Sequence, residues 1–449
     1  MSFLQRPLGP PDVEKMNKKK LWKLMAALGL AVTSLLLLSL LLGQITAGAA
    51  PGEHVTITDA QSPSADFTSS GTATSEATGL GIPDLELITD TVLNVDPCVC
   101  SGVWVSETVD SAGTVGTGTS LALAPTYPYT PHVSYHDVTS NSLKYAWLSG
   151  TIWLSEKVDR GGRHTSLALA PIYPHSPCIS HHDFWGWDLR YACLDGTTWI
   201  TIGLDCCRAG QYSTSLALEP TDPYTPHISY FMPSGAYNLK HIYLSGTVWC
   251  SGTWVPETVD SHGVVGTNSS IALEPTDPYT PHISYCNGGL KHAWKNGTTW
   301  LSETVDSVCK WTSLALDSSS HPHISYHDDV NRDLKHAWKN GTTWLSETVD
   351  SEGDLGRFGT SLALDNRDNP YISYFRDDTH GDLKLARFDG TVWIIQTVDS
   401  EGWVGMDSSL ALDQDGCPHI SYYDATNGDL KYAYLPVFKI YLPIITKNH

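Results

Sequence analysis

Apolar and polar positions alternate in short runs along most of this chain, and the runs recur in a fixed order. In Trp393–Ala433 the order is Trp-x5-Asp, Ser-Leu-Ala-Leu, Pro-His-Ile-Ser-Tyr and Asp-Leu-Lys-Tyr-Ala. Each run spans about 4–7 residues, is rich in β-branched and aromatic residues, and is bounded by Gly, Asp, Asn or Pro. That pattern predicts strands, and no run is long enough for a helix. Asn296-Gly297, Asn340-Gly341 and Asp389-Gly390 fall between the last run and the next Trp. Asn-Gly and Asp-Gly turns favour tight hairpins, so neighbouring strands are predicted to pair antiparallel.

The unit occurs seven times. Trp104, Trp153, Trp199, Trp254, Trp300, Trp344 and Trp393 are each followed six residues later by Asp, from Asp110 to Asp399. The spacings are 49, 46, 55, 46, 44 and 49 residues. A four-stranded unit at this period predicts an all-β, seven-bladed β-propeller, with a stacked β-solenoid as the alternative. The array opens on a Trp strand and ends on Leu430–Ala433. If the Trp strand is the outer edge of each blade, the N-terminal Trp strand completes the last blade and closes the ring without a free edge.

The repeat makes residues 98–436 one domain. Residues 1–49 read as a signal peptide or membrane anchor: Lys15, Lys18, Lys19, Lys20 and Lys23 flank apolar Leu24–Leu42, followed by the small-x-small pattern Ala47-Gly48-Ala49. Residues 50–97 form a Ser/Thr/Gly-rich linker with one candidate strand at Leu85–Leu93. Residues 437–449 form a short apolar tail, too short to span a membrane and expected to pack on the ring as a strand. Cleavage after residue 49 removes six basic and two acidic residues, taking the net charge from −21 to −25. Such a surface repels phosphate backbones and argues against nucleic acid as a partner. The expected location is secreted or cell-surface, the expected state a monomer, with membrane contact only through an uncleaved N-terminal segment.

Ten Cys in an exported chain permit disulfides. If Asp183 faces Asp188 across their hairpin, Cys178 faces Cys193, the candidate bridge. No Cys pairs occur at zinc-ligand spacing.

An internal repeat is also an internal alignment, in which uniform positions are scaffold and departures are candidates for function. His132, His227, His282, His323 and His419 share one slot, and His241, His292 and His336 share another with Tyr145, Tyr191 and Tyr432. A ring with a polar tip satisfies both slots. Asp137, Asp183, Asp328, Asp377 and Asp424 precede a strand carrying Lys144, Arg190, Lys335, Lys384 and Lys431. Cross-strand ion pairs or turn caps account for them. No cofactor is required, and calcium is the one candidate, at Asp424, Asn427 and Asp429. Departures concentrate in two loop sets that an up-down-up-down blade places on one face. They are Arg163, His164, Trp185, Trp187, Arg208, Tyr212, Lys310, Trp311, Arg357, Phe358, Arg376 and Trp403. Aromatics beside Arg suit recognition surfaces and the C–H faces of sugars. No residue is assigned a catalytic role.

At Gly-x-x-Trp, as in Gly150–Trp153, Gly246–Trp249 and Gly390–Trp393, the unit resembles a degenerate Asp-box of sialidase-type propellers. The full repeat, with SLALD, PHISYxD and DLKYA, resembles exported bacterial repeat proteins, and the tail resembles the short apolar Tyr-Leu-Pro tails of some bacterial exported proteins, which implies surface attachment or sorting. No copy carries the complete Ser-x-Asp-x-Gly-x-x-Trp box, and no Arg-Ile-Pro occurs. The resemblance therefore transfers no Arg triad, nucleophile or acid to this chain. The leading expectation is a non-enzymatic propeller that binds an extracellular glycan or protein through the variable face. A sialidase-like glycoside hydrolase or lyase and a structural cell-surface module are the alternatives.

Overall fold

The computed structural model describes residues 99–438, apart from 101, 172–173, 234–236, 249 and 379. Residues 1–49, read above as an export segment, residues 50–97 with the candidate strand, and the tail beyond residue 438 lie outside the described residues. All regular structure described is β, arranged as seven four-stranded antiparallel sheets and one two-stranded ribbon.

Blade 1 comprises Val115–Leu123, Pro131–Asp137, Ser142–Ser149 and Ile152–Arg160, in that order from inside to outside. Blades 2 to 6 repeat this order. In blade 7, Val404–Leu412, Pro418–Asp424 and Asp429–Tyr434 are completed by Val105–Asp110 from the other end of the repeat array. The predicted closure is therefore the observed one: the N-terminal Trp strand fills the outer edge of the last blade. Val99–Cys100 pairs antiparallel with Val437–Phe438 as a separate two-stranded ribbon. At the Asn296–Thr299 hairpin, Asn296 is still paired and Gly297 takes the first central position with φ 61°, which a side chain would strain.

The core is distributed. Each of seven apolar clusters spans one junction between neighbouring blades. At the junction of blades 7 and 1, Leu121, Val133 and Ala146 meet Leu430 and Tyr432. The Trp that marks each repeat packs into these joints, edge-on to a ring in six of the seven copies. Trp153 meets Tyr432 at 5.2 Å, Trp199 meets Tyr145 at 5.4 Å and Trp300 meets His241 at 5.2 Å.

Polar groups repeat the same logic. The Ser of each Ser-Leu-Ala-Leu or Ser-Ile-Ala-Leu run accepts the backbone N–H of the Leu or Ile in the next blade's run. All seven bonds are made, Ser409 to Leu121 closing the circle, at 2.9–3.1 Å. Replacing Ser166 by Ala strands the N–H of buried Leu216 and is expected to cost about 1–3 kcal/mol, read as a fall in the urea midpoint at unchanged slope.

The Asp of Trp-x5-Asp accepts the Tyr hydroxyl of the next blade's second strand at six junctions, at 2.5–2.9 Å. Lys144, Lys335 and Lys431 join it at Asp110, Asp306 and Asp399. For Asp137, Asp328 and Asp424 this decides between the two sequence readings, cross-strand ion pair and turn cap. These lysines pair with an Asp on the preceding blade and not with Asp137, Asp328 or Asp424 on their own blade. Those three cap the turns they begin.

The Cys178–Cys193 bridge is corrected. The two are Cα partners across their hairpin, as the register predicted, but Cys193 is bonded to Cys250 in blade 3. Cys250 lies in the extra residues of the 55-residue repeat, and it reaches Cys193 from the neighbouring blade. Cys178 stays a buried thiol, pushed up to about 12 by burial. Cys286–Cys309 likewise ties blade 4 to the strand entry of blade 5. Each bridge stabilises by about 2–4 kcal/mol.

Candidate functional site

The loops entering the inner strands and the loops between second and third strands emerge on one face of the ring. Every sequence candidate of the variable face lies there, in three groups.

The first group surrounds the channel mouth. Aligning the inner strands on their Thr/Ser-Ser-Leu/Ile step isolates one slot just before it: Gly118, His164, Ser213, Asn268, Trp311, Gly359 and Asp407. The two positions after the slot are Thr/Ser and Ser in every blade, while the slot itself holds six residue types. Strand pairing breaks around the slot in blades 1, 2, 4, 5, 6 and 7, as a β-bulge does. The bulge sets a left-handed backbone: His164 φ 52°, Asn268 φ 56°, Trp311 φ 54° and Asp407 φ 53°, matching Gly118 at 58°. Non-glycine residues in that region cost about 1 kcal/mol or more each. Gly118 and Gly359 show that the scaffold accepts glycine at the slot. Hydroxyls of the next blade hold it: Thr165, Thr214, Thr312 and Thr360 donate to the carbonyls of Gly118, His164, Asn268 and Trp311 at 2.7–3.0 Å.

All seven blades line the resulting cavity of 190 Å³, with Tyr212 and Phe358 at its rim. Burial, aided by the charges of His182 and Arg163, holds His164 down to about 4, so it is a neutral imidazole at pH 7. Burial pushes the Asp407 carboxyl up, against the bond that its Oδ2 accepts from the Gly118 N–H at 2.8 Å. The collar thus offers an indole face, an amide, a neutral imidazole and one carboxyl.

The second group sits at the junction of blades 2 and 3. Trp187, Arg208, Gln211, Tyr212 and Tyr237 line a cavity of 610 Å³, with Cys207 and Pro233. Trp185 stands beside it, 74% exposed. Arg163 lines a neighbouring cavity of 300 Å³ with Thr117, His136, His164 and Asp407. The third group, on blades 6 and 7, is self-contained. Arg357 pairs with Asp377 at 3.0 Å, Arg376 pairs with Asp378 at 3.0 Å, and Phe375 lies between Phe358 and Trp403 at 5.9 and 6.2 Å. Lys310 faces Asp329 at 3.5 Å. These cations are already neutralised.

At the calcium candidate, Asp424 Oδ1 accepts the Thr426 and Asn427 N–H groups and Oδ2 accepts the Asn427 side chain. Asp429 lies at the start of the following strand. Among the described residues no group of three or more His, Cys, Asp or Glu is placed to hold a metal ion.

The repeated histidines form chains across the blades. In blade 3, Glu219, His227, His241 and Glu257 follow one another at 3.2, 3.0 and 3.1 Å. Blade 4 repeats this with Glu274, His282, His292 and Glu303. These chains satisfy the rings within the sheet, as the sequence suggested.

Sequence reasoning overlooked Asn268 and Asp407 in the collar, and Phe184, Gln211 and Tyr237 beside the larger cavity. The collar was open to discovery by aligning the residue before Thr/Ser-Ser-Leu/Ile. Asn268 and Asp407 resemble ordinary loop residues, since loops are rich in both types.

No protein-family model matches this chain, and no curated protein matches it. Similar solved structures are propellers of mixed activity. The lectin of Aleuria aurantia, solved with Fucα1-6GlcNAc, is 13% identical, with 63% of this chain and 96% of that one covered and a TM-score of 0.42. A polysaccharide lyase, an ulvan lyase of family PL25, is 12% identical over 73% and 95% of the two chains, with a TM-score of 0.49. The leech intramolecular trans-sialidase is 10% identical over 75% and 70%, with a TM-score of 0.39. At these identities and scores the likenesses assign no ligand to this chain.

Proposed function

We propose that this propeller is a non-enzymatic, exported protein that binds glycans at the mouth of its channel. One observation carries the reading: in an otherwise uniform repeat, the slot around the channel retains His164, Asn268, Trp311 and Asp407 on strained bulges where glycine also fits. Strain kept at one point of a repeat marks function more than folding. The collar's chemistry suits a sugar. The Trp311 indole offers an apolar face for C–H groups, and the amide, imidazole and carboxyl offer hydrogen bonds to hydroxyls. Of the seven slot residues only Asp407 is acidic, so the collar lacks the pair of carboxyls about 5–10 Å apart that glycoside hydrolysis uses. The inter-blade disulfides fit an oxidising compartment.

The test uses glycine as the substitute. Trp311→Gly suits the backbone at φ 54° and removes the stacking face. Stability is expected to change by less than about 1 kcal/mol, while affinity for oligosaccharides found on a glycan array drops at least about tenfold. Calorimetric titration and thermal melting read the two quantities separately. Unchanged binding with lost stability would make the collar structural and end this reading.

A further inference from the structure

Among the described residues, blade 2 carries an aromatic stack with an arginine at both ends, whereas the stack of blade 6 has one, Arg357 lying 5.0 Å over Phe358. The blade 2 loop Phe184-Trp185-Gly186-Trp187 joins two strands, and the Phe184 and Trp187 rings lie 4.9 Å apart. The Arg163 guanidinium lies 4.2 Å over Phe184 and the Arg208 guanidinium 4.5 Å over Trp187. The four side chains form one ladder with a cation at each end. The backbone fastens it: the Arg208 N–H donates to the Trp187 carbonyl at 2.7 Å. Trp187, Cys207 and Arg208 all hold positive φ, at 57°, 66° and 75°.

The loop's own carboxylates are committed elsewhere. Arg160 takes Asp183 at 2.7 Å and approaches Asp188 at 3.7 Å. Among the described residues neither Arg163 nor Arg208 has a carboxylate within ion-pair distance, although Asp and Glu outnumber Lys and Arg by 48 to 27. Arg357 and Arg376 on the same face are both paired. Stacking on an aromatic face occupies the plane of a guanidinium and leaves its N–H edge open. Each edge borders its own cavity, of 300 Å³ on the Arg163 side and 610 Å³ on the Arg208 side.

We propose that this ladder is the recognition site for an acidic oligosaccharide, laid across the ridge with one anionic group against each guanidinium. The claim rests on the glycan reading and specifies its ligand. A planar, pre-oriented guanidinium edge binds a carboxylate through two parallel hydrogen bonds, and its charge is not neutralised by the fold. Exposed Trp185 and Tyr212 supply faces for the intervening sugars. The chain's overall negative charge opposes diffuse attraction of anions, so selection for acid groups falls to these two local cations. A small ligand suits concave sites with a few placed polar groups, and the ladder stands between two such cavities, each mixing apolar walls with a guanidinium.

The experiment compares a galacturonate hexamer with its methyl ester, which has the same sugars without the charge, by calorimetric titration at moderate salt. The wild-type chain is expected to bind the acid at least about tenfold more tightly than the ester, since a charge-assisted bond contributes about that factor or more. Arg163→Gln with Arg208→Gln should remove the difference and leave ester binding and the melting temperature in place. The corresponding Lys pair should restore only part of it, because an ammonium lacks the planar two-donor edge. A sulfated neutral hexamer that outcompetes the galacturonate would reassign the anionic group to sulfate and overturn the carboxylate assignment. Equal affinity for acid and ester in the wild-type chain, or a preference surviving the double Gln variant, would overturn the ladder while ester binding upheld the glycan reading. No binding of either hexamer, with the protein folded, would overturn the ladder as an acidic-sugar site and leave the glycan reading to the Trp311→Gly test.

Discussion

Replacing Asp399 by Ala is expected to lower the stability of the folded chain by about 3–5 kcal/mol, the range for removing one partner of a buried ion pair. Asp399 ends the outer strand of blade 6, and its Oδ2 accepts the Tyr422 hydroxyl and the Lys431 ammonium of blade 7, each at 2.6 Å. The Lys431 ammonium also lies 5.6 Å over the Tyr422 ring. Side-chain exposure is 6% for Asp399 and 14% for Lys431, so solvent replaces little of what is lost. Burial works against the Asp399 carboxylate, but the bonds from Lys431 and Tyr422 more than offset it and hold its pKa below the usual range. Its removal leaves an ammonium and a phenol in an apolar joint next to the blade that closes the ring. Asp399→Asn, which keeps an acceptor, should recover part of the loss. Lys431→Met added to Asp399→Ala should also recover part, since no buried charge then remains unmatched. Urea unfolding monitored by Trp fluorescence reads all three, and a loss below about 1 kcal/mol for Asp399→Ala would show the joint to be superficial.

Acid is expected to weaken the fold well above the pH at which carboxylates titrate. Burial is the main cause that holds His132, His164, His241, His282 and His323 down to about 4, against about 6.5 in an unfolded chain. Above pH 6.5 these rings are neutral in both states and stability is at its full value. Between pH 6.5 and 4 the unfolded chain takes up protons that the folded chain refuses, so stability falls as pH falls. Each ring contributes up to about 1.4 kcal/mol per pH unit within that window. Below it, Asp159, Glu257 and Glu303 continue the loss. Burial raises their pKa, but bonds from basic partners, His181 and Arg190 for Asp159, hold all three at about 2. That loss runs from the ordinary carboxylate range, about 4, down to 2. The urea midpoint should therefore decline steadily from pH 7 to 4.5, with net proton uptake on unfolding at pH 5. His241→Tyr, which copies the residue of blades 1, 2 and 7 at this slot, should flatten the decline. A midpoint constant from pH 7 to 5 would mean that water or repacking relieves these rings.

Period and alternation were enough to specify what happens inside a blade. Strand order, the Trp edge and the Cys178–Cys193 register follow from contacts between residues near in sequence, which a repeat displays copy after copy, and the closure by residues 105–110 follows from the phase of the array, which opens on a Trp strand and ends on a blade's third strand. The site candidates were legible only as a face. Which of them meet depends on how blades stack, and that separates the open guanidiniums of Arg163 and Arg208 from the neutralised Arg357 and Arg376.

What crosses between blades was decided by the tertiary structure. Lys144, Lys335 and Lys431 chose the Asp of the preceding blade because blade packing brings that carboxylate to the Tyr hydroxyl and the ammonium together. Cys193 chose Cys250 for a similar reason, since the insertion that carries Cys250 reaches back to the neighbouring blade. The collar depends on a backbone angle. A bulge and a positive φ leave no mark in hydrophobic periodicity, and His, Asn, Trp and Asp at one slot look like loop variation until seven blades place them around a single channel.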